Sequence, residues 1–173
     1  MSNTLILLIS IMCTFFLTKC SMTSEMSNEL FVEKYQHENF DVFLNKSFFI
    51  RDIDINKNPI VLAYDYKDSE KPCGFLSIIV DKDSNIIKST TSILNSDNCY
   101  IEISKEIEFL AIKFVALNIN RLRVDSNRNV FISILPGENV SRLIYFSDLK
   151  YKTEEYRKWR LISGNWYEQK KTR

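Results

Sequence analysis

Apolar positions run unbroken by charge from Leu5 to Leu17, Lys19 and Cys20 follow, and the text then turns polar as SMTSEMSN. A bilayer-spanning helix takes roughly 20 apolar residues. This run is shorter and has the length of a secretory signal core. A buried helix apolar on every side would need a larger chain around it. Residues 1–19 therefore read as a signal peptide, residues 20–28 as a polar tether, and residues 29–173 as one domain.

Asn28 is placed to cap a short helix in the stretch ELFVEKYQHENF, with Leu30 or Phe31 sharing a face with Tyr35. His37 falls near its end, where a cation is mildly favoured, and reads as a surface or cap residue. Residues 40–55 carry strand-like stretches. Phe48, Ile50 and either Ile53 or Ile55 are the inward candidates, with Arg51, Asp52 and Asp54 outward. Asn56 to Pro59 is a turn signal. Ile60, Leu62 and Tyr64 then alternate with Val61, Ala63 and Asp65 as a second strand. CGFLSIIV (73–80) and IIKSTT (86–91) flank the polar loop 81–85 and predict a β-hairpin.

Ser104 is placed as the N-cap of a helix running to about Asn118. Ile107, Leu110 or Ala111, Phe114 and Leu117 form its apolar stripe, joined by Val115. A stripe that wide needs a sheet to cover it. Arg121 to Val124 and Val130 to Leu135 make a second hairpin around DSNRN, and Val140 to Phe146 a further strand. A short helical or extended polar run follows, through Glu155. Trp159 and Leu161, the turn Ser163-Gly164-Asn165, and Trp166-Tyr167 read as a closing hairpin. The expected fold class is α+β: an antiparallel sheet of five to eight strands packed against one main helix, Ser104–Asn118, with a short N-terminal helix.

Charge changes little in this picture. The chain has 23 Lys plus Arg against 22 Asp plus Glu, and removal of residues 1–19 takes away Lys19 and brings the side-chain balance to zero. A nucleic-acid partner would ask for a basic excess. Only three Gly are present, which leaves few places for a phosphate-binding loop. Of four cysteines, Cys13 and Cys20 lie in the leader region. In an oxidising compartment Cys73 and Cys99 could close a disulfide loop of about 26 residues, worth roughly 3–4 kcal/mol by loop-entropy arguments. Two free buried cysteines are the alternative. The chain has one histidine, His37, far from both, so a metal site is not expected. The 81–85 loop lacks the ligand series, central Gly and closing Glu of an EF-hand.

Leu17-Thr18-Lys19-Cys20 resembles the signal of bacterial lipoproteins. In that family a small-residue box ends in a cysteine that is acylated, with palmitate-type chains, and becomes the mature N-terminus. Lys19 stands where a small residue is usual. Ile11-Met12-Cys13 is a second, weaker match. Cys20 is thus the expected lipidation site, with simple cleavage or an uncleaved anchor as alternatives, and several acyl chains anchor far more firmly than one. Residues 74–114 also resemble the C-terminal domain of TonB and its lipoprotein relatives. Val80 to Asn85 sits at that family's acidic turn, Cys99 stands before the helix, and Ile103 to Phe114 sits at the helix itself. Ser84 replaces the usual Gly, and the aromatic-x-Pro segment after the helix is absent. The resemblance implies a periplasmic protein–protein contact and no enzymatic activity.

The candidate chemistry is thin. No serine lies in a GxSxG elbow. The carboxylates Asp52, Asp54, Asp65, Asp81 and Asp83 alternate along strands or sit in turns, where exposure to solvent accounts for them. A Cys–His nucleophile would have to recruit His37. Arg121, Arg123 and Arg128 read as a solvated basic run. Aromatic residues and Arg dominate interface hot spots, so Trp159, Trp166 and Tyr167, near Tyr151 and Tyr156, with Arg157 and Arg160 are the candidate interface. Their alternative role is to close the core. No catalytic residue and no cofactor are expected. The expected function is a lipid-anchored cell-envelope lipoprotein that binds an unidentified protein partner, as an assembly factor or an immunity-type inhibitor. Its expected location is a bacterial membrane, facing the periplasm or the surface. The alternative is a small-ligand-binding or hydrolytic envelope domain with a pocket against the sheet.

Overall fold

A computed structural model describes residues 26–65, 74–94, 102–134 and 142–169. Cys13, Cys20, Cys73 and Cys99, and with them the leader, tether, lipidation and disulfide expectations, lie outside the described residues.

Nine strands form one antiparallel sheet. They are β1 (Lys46–Ile53), β2 (Pro59–Asp65), β3 (Gly74–Asp81), β4 (Ile86–Leu94), β5 (Arg121–Val124), β6 (Val130–Ser133), β7 (Arg142–Tyr145), β8 (Arg160–Ser163) and β9 (Trp166–Glu168), in the spatial order β4-β3-β2-β1-β5-β6-β7-β9-β8. Two helices, α1 (Asn28–Tyr35) and α2 (Lys105–Ala116), and single 3₁₀ turns at Phe40–Phe43, Leu149–Tyr151 and Glu154–Tyr156 complete the described residues.

The α+β expectation of five to eight strands around one main helix is therefore corrected: the described residues are β-rich, with nine strands outweighing two short helices. Five segments of three or four residues, β5 to β9, each too short to stand alone, join a single ladder and carry it beyond the reach of α2. Two local expectations also change. Phe40–Phe43 is a 3₁₀ turn whose Phe40 and Phe43 are buried, not part of a strand. Ile53 and Ile55 are 60% and 98% exposed, because a bulge between Ile50 and Asp52 carries the end of β1 out of the core.

The helices sit where the sequence places their caps. The Ser104 hydroxyl accepts from the Ile107 N–H, and Ile107, Leu110, Ala111 and Phe114 are buried. Asn118 ends this element in the left-handed region, at φ 54°, which asparagine tolerates. α1 is capped one residue earlier than expected, by Ser27. Both helices and the first 3₁₀ turn cover the same face, where Phe48, Val61, Ala63, Leu76, Ile78, Val80, Leu122, Val124 and Leu143 form one core with Phe31, Phe43 and Phe114.

Two turns reveal a repeat. Asp54-Ile55-Asn56-Lys57-Asn58 joins β1 to β2, and Asp125-Ser126-Asn127-Arg128-Asn129 joins β5 to β6. In each, the aspartate Oδ1 accepts from backbone N–H groups two and four residues on, and the last asparagine donates its side-chain amide to Oδ2 at 3.0 Å. The fourth residue is left-handed in both, Lys57 at φ 64° and Arg128 at φ 62°. In each half a helix precedes these strands. Counting back from the turns past the β1 bulge, Phe49 holds the place of Arg121, and the two residues pair across the β1–β5 seam. A local two-fold axis passes between them. By the same register Leu62 corresponds to Ser133 and Ser77 to Arg142.

Candidate functional site

The face of the sheet opposite α1 and α2 carries the side chains that alternation turns away from the core. In β5, Leu122 and Val124 point into the core, which sends Arg121 and Arg123 to the opposite face. The same logic places Ser47 and Phe49 of β1, Phe131 and Ser133 of β6, and Arg142 and Ile144 of β7 there. Cross-strand register then lines them up. One row runs Tyr64, Ser47, Arg123, Phe131, Ile144, Tyr167, Leu161; the next runs Leu62, Phe49, Arg121, Ser133, Arg142.

Of these, Tyr64, Ser47, Arg123, Phe131 and Ile144 of the first row and Phe49, Arg121, Ser133 and Arg142 of the second line a trough of about 680 Å³. On one bank stand Phe49 and Tyr64, with the Phe75 ring edge-on to both at 6.3 and 5.3 Å. At the other end Glu155, Tyr156 and Trp159, from the segment leading into β8, rise as a wall. That segment is held by a second cluster on this face, Ile144, Phe146 and Tyr167, against which Tyr151, Tyr156 and Trp159 pack. Tyr156 meets Phe146 and Trp159 edge-on, each at 5.3 Å.

The electrostatics are cationic. The Arg121 guanidinium lies 5.4 Å from the Phe49 ring centroid and that of Arg123 lies 4.0 Å from Phe131, both within cation–π range. Burial pushes the Tyr156 phenol up to about 12, reinforced by its hydrogen bond to Glu155 and opposed by the charge of Arg123. It stays a neutral hydroxyl at physiological pH. The Ser47 hydroxyl, buried in the floor, donates to the Leu122 carbonyl at 3.4 Å. Among the described residues, the charged groups that line the trough are the guanidiniums of Arg121, Arg123 and Arg142 and the carboxylate of Glu155.

The candidate interface residues are divided by the sheet. Trp166 is 3% exposed on the helix side, with rings of Phe31, Phe40 and Tyr145 at 6.3, 6.1 and 5.3 Å. Arg160, on that same side, pairs with Glu29 and Glu168 and fastens α1 to the β8–β9 edge. Trp159 lines the trough, and Tyr167 lies on the trough face with Lys152 3.8 Å from its ring centroid. Tyr151 and Tyr156 pack beside them, and exposed Arg157 pairs with Glu154. Arg121 and Arg123, read from sequence as a solvated run, line the trough instead, while Arg128 pairs with Asp41 at the turn. Arg142, Phe49 and Phe131 carried no signal of their own; their shared parity with Arg121 becomes informative only once the strands are in register.

Among the described residues no three His, Cys, Asp or Glu side chains come together as a metal site, and no helix is long and apolar enough to cross a membrane. No family model, curated protein or solved structure matches the chain. The likenesses to a lipoprotein signal and to the TonB C-terminal domain rest on the residues quoted for them.

Proposed function

We propose that this is an exported, membrane-tethered binding domain whose working surface is the trough on the face of the sheet opposite α1 and α2. The observation that carries this reading is the asymmetry of the two faces. One is sealed by α1, α2 and a 3₁₀ turn over a single apolar core. The other keeps a concavity lined by aromatic rings and arginines, the residue types that dominate binding hot spots. The volume also lies in the range of ligand pockets. The export part of the proposal rests on the Leu5–Leu17 run, with Cys20 as the anchor point. Asn28 and Glu29, where the tether would end, sit beside Glu168 and Arg160 at the β8–β9 edge.

The test is site-specific photo-crosslinking in cells that make the protein. A photoreactive residue at Ser133, in the trough floor, should yield a discrete adduct, and one at Glu108, on α2, should not. Equal adducts from both positions, or none from Ser133, would overturn the assignment of the surface.

A further inference from the structure

Resting on that reading of the trough, we infer that its occupant is an acidic, partly apolar segment of another protein, lying with its carboxylates over Arg121, Arg123 and Arg142. The first ground is the spacing of the cations. Arg121 leans toward its β1 neighbour Phe49, whereas Arg123 leans toward its β6 neighbour Phe131. The two guanidiniums therefore part to opposite sides of β5. Arg142 stands two strands from Arg121 in the same row, roughly 10 Å away at the usual strand spacing. Side chains rooted at three separated points of the floor, two of them leaning apart, favour several anionic groups over a single carboxylate or phosphate. They suit anionic groups repeated along a ligand, as acidic side chains are along an extended chain.

The second ground is the split between the two halves of the repeat. At the places related by the local two-fold, the first half supplies Phe49 to the trough and the second supplies Arg121. The trough thus has an apolar bank beside a cationic one. A polypeptide can meet both, with apolar side chains against Phe49 and Tyr64 and carboxylates over the arginines. A polyphosphate or similar inorganic polyanion would leave the apolar bank uncovered. Rings beneath two of the guanidiniums also limit their side-chain freedom, so less entropy is lost when an acidic partner docks.

The experiment titrates the full-length protein with a fluorescent peptide of about twelve residues repeating Glu-Leu-Asp-Pro, the same peptide with Lys for Glu and Asp, and polyphosphate as competitor. The expected result is saturable binding of the acidic peptide only, weakened by added salt. Binding should fall at least about tenfold in the Arg121→Glu/Arg142→Glu double variant. It should fall severalfold in Phe49→Ala with the salt dependence unchanged. Both arginines are exposed, so thermal melts should show the double variant folded; if it is not, the milder Arg121→Gln and Arg142→Gln carry the same comparison. Equal binding of the basic peptide, indifference to charge reversal, or displacement by polyphosphate with higher affinity would overturn the inference. If the Ser133 adduct persists unchanged in the charge-reversed protein, the acidic occupant fails while the trough assignment stands. If there is no Ser133 adduct at all, both fail.

Discussion

Replacing Trp166 by alanine separates a core role from a binding role. The indole is 3% exposed and is met by the rings of Phe31, Phe40 and Tyr145. It joins α1, the first 3₁₀ turn and β7 across the last strand of the sheet. Phe or Trp to alanine in a core costs about 3–5 kcal/mol. Edge-to-face ring pairs add about 0.5–1.5 kcal/mol each beyond area burial, which places this site in the upper part of that range. Against a total stability of about 5–15 kcal/mol, the loss is a large fraction. With a urea slope of about 2 kcal/mol/M, the unfolding midpoint should drop by about 2 M, followed by circular dichroism. Trp159→Ala, at the partly buried wall of the trough, should cost only about 1 kcal/mol. A Trp166→Ala loss below about 1 kcal/mol, or a larger loss at Trp159, would refute the placement of Trp166 in the core. If the placement holds, any binding defect of Trp166→Ala reports unfolding and not a lost contact.

The buried asparagines of the twin turns should differ. Asn58 and Asn129 each bond their aspartate, but Asn129 also accepts from the Ser147 N–H at 3.2 Å, so Asn129→Ala should cost more than Asn58→Ala within about 1–3 kcal/mol, by urea melts. Gly164 sits at φ +53° with open space where a Cβ would go, so Gly164→Ala should cost about 1 kcal/mol for backbone strain alone. The Asp81 carboxyl, held at about 2 by the Ser84 N–H and by Lys88, lies below its ordinary value of 3.8. A folded pKa below the unfolded one means its contribution is complete above about pH 4 and is lost as pH falls toward 2. Carbon-detected NMR should give that midpoint, and protection in the β3–β4 hairpin should decline in the same window. For Tyr156, the pKa of about 12 should appear as a late phenolate step in absorbance, with stability falling as pH rises from about 10 to 12.

Much of the fold was legible because local rules and tertiary structure agreed. Ser104 capped the helix it was expected to cap, the β3–β4 and β5–β6 hairpins fell around their polar loops, and the apolar stripe of α2 went into the core. What could not be read was how many short strands would share one sheet. A segment such as Trp166–Glu168 has no period of its own to display, and its pairing with β7 skips β8. The turns were visible singly, as Asn56–Pro59 and as DSNRN; that Asp54 belongs to the first, giving a shared D-x-N-K/R-N pattern, comes from its hydrogen bonds, and the two-fold relation depends on the register across β1 and β5. The same holds for the trough. Arg121 and Arg123 share parity in sequence, whereas their alignment with Phe49, Phe131 and Arg142 comes only from cross-strand pairing. Solvated arginines and trough-lining arginines look alike until the neighbours are known.

The most direct test of the trough as the working surface is hydroxyl-radical footprinting of the protein in the cells that make it against the purified protein. Oxidation of Tyr64 and Trp159 should fall in the native setting, while exposed Phe109 on α2 and Ile86 on the β4 edge react equally in both. Protection of Phe109 or Ile86 with Tyr64 and Trp159 unchanged would contradict the account and move the binding surface to the helices or to the β4 edge of the sheet.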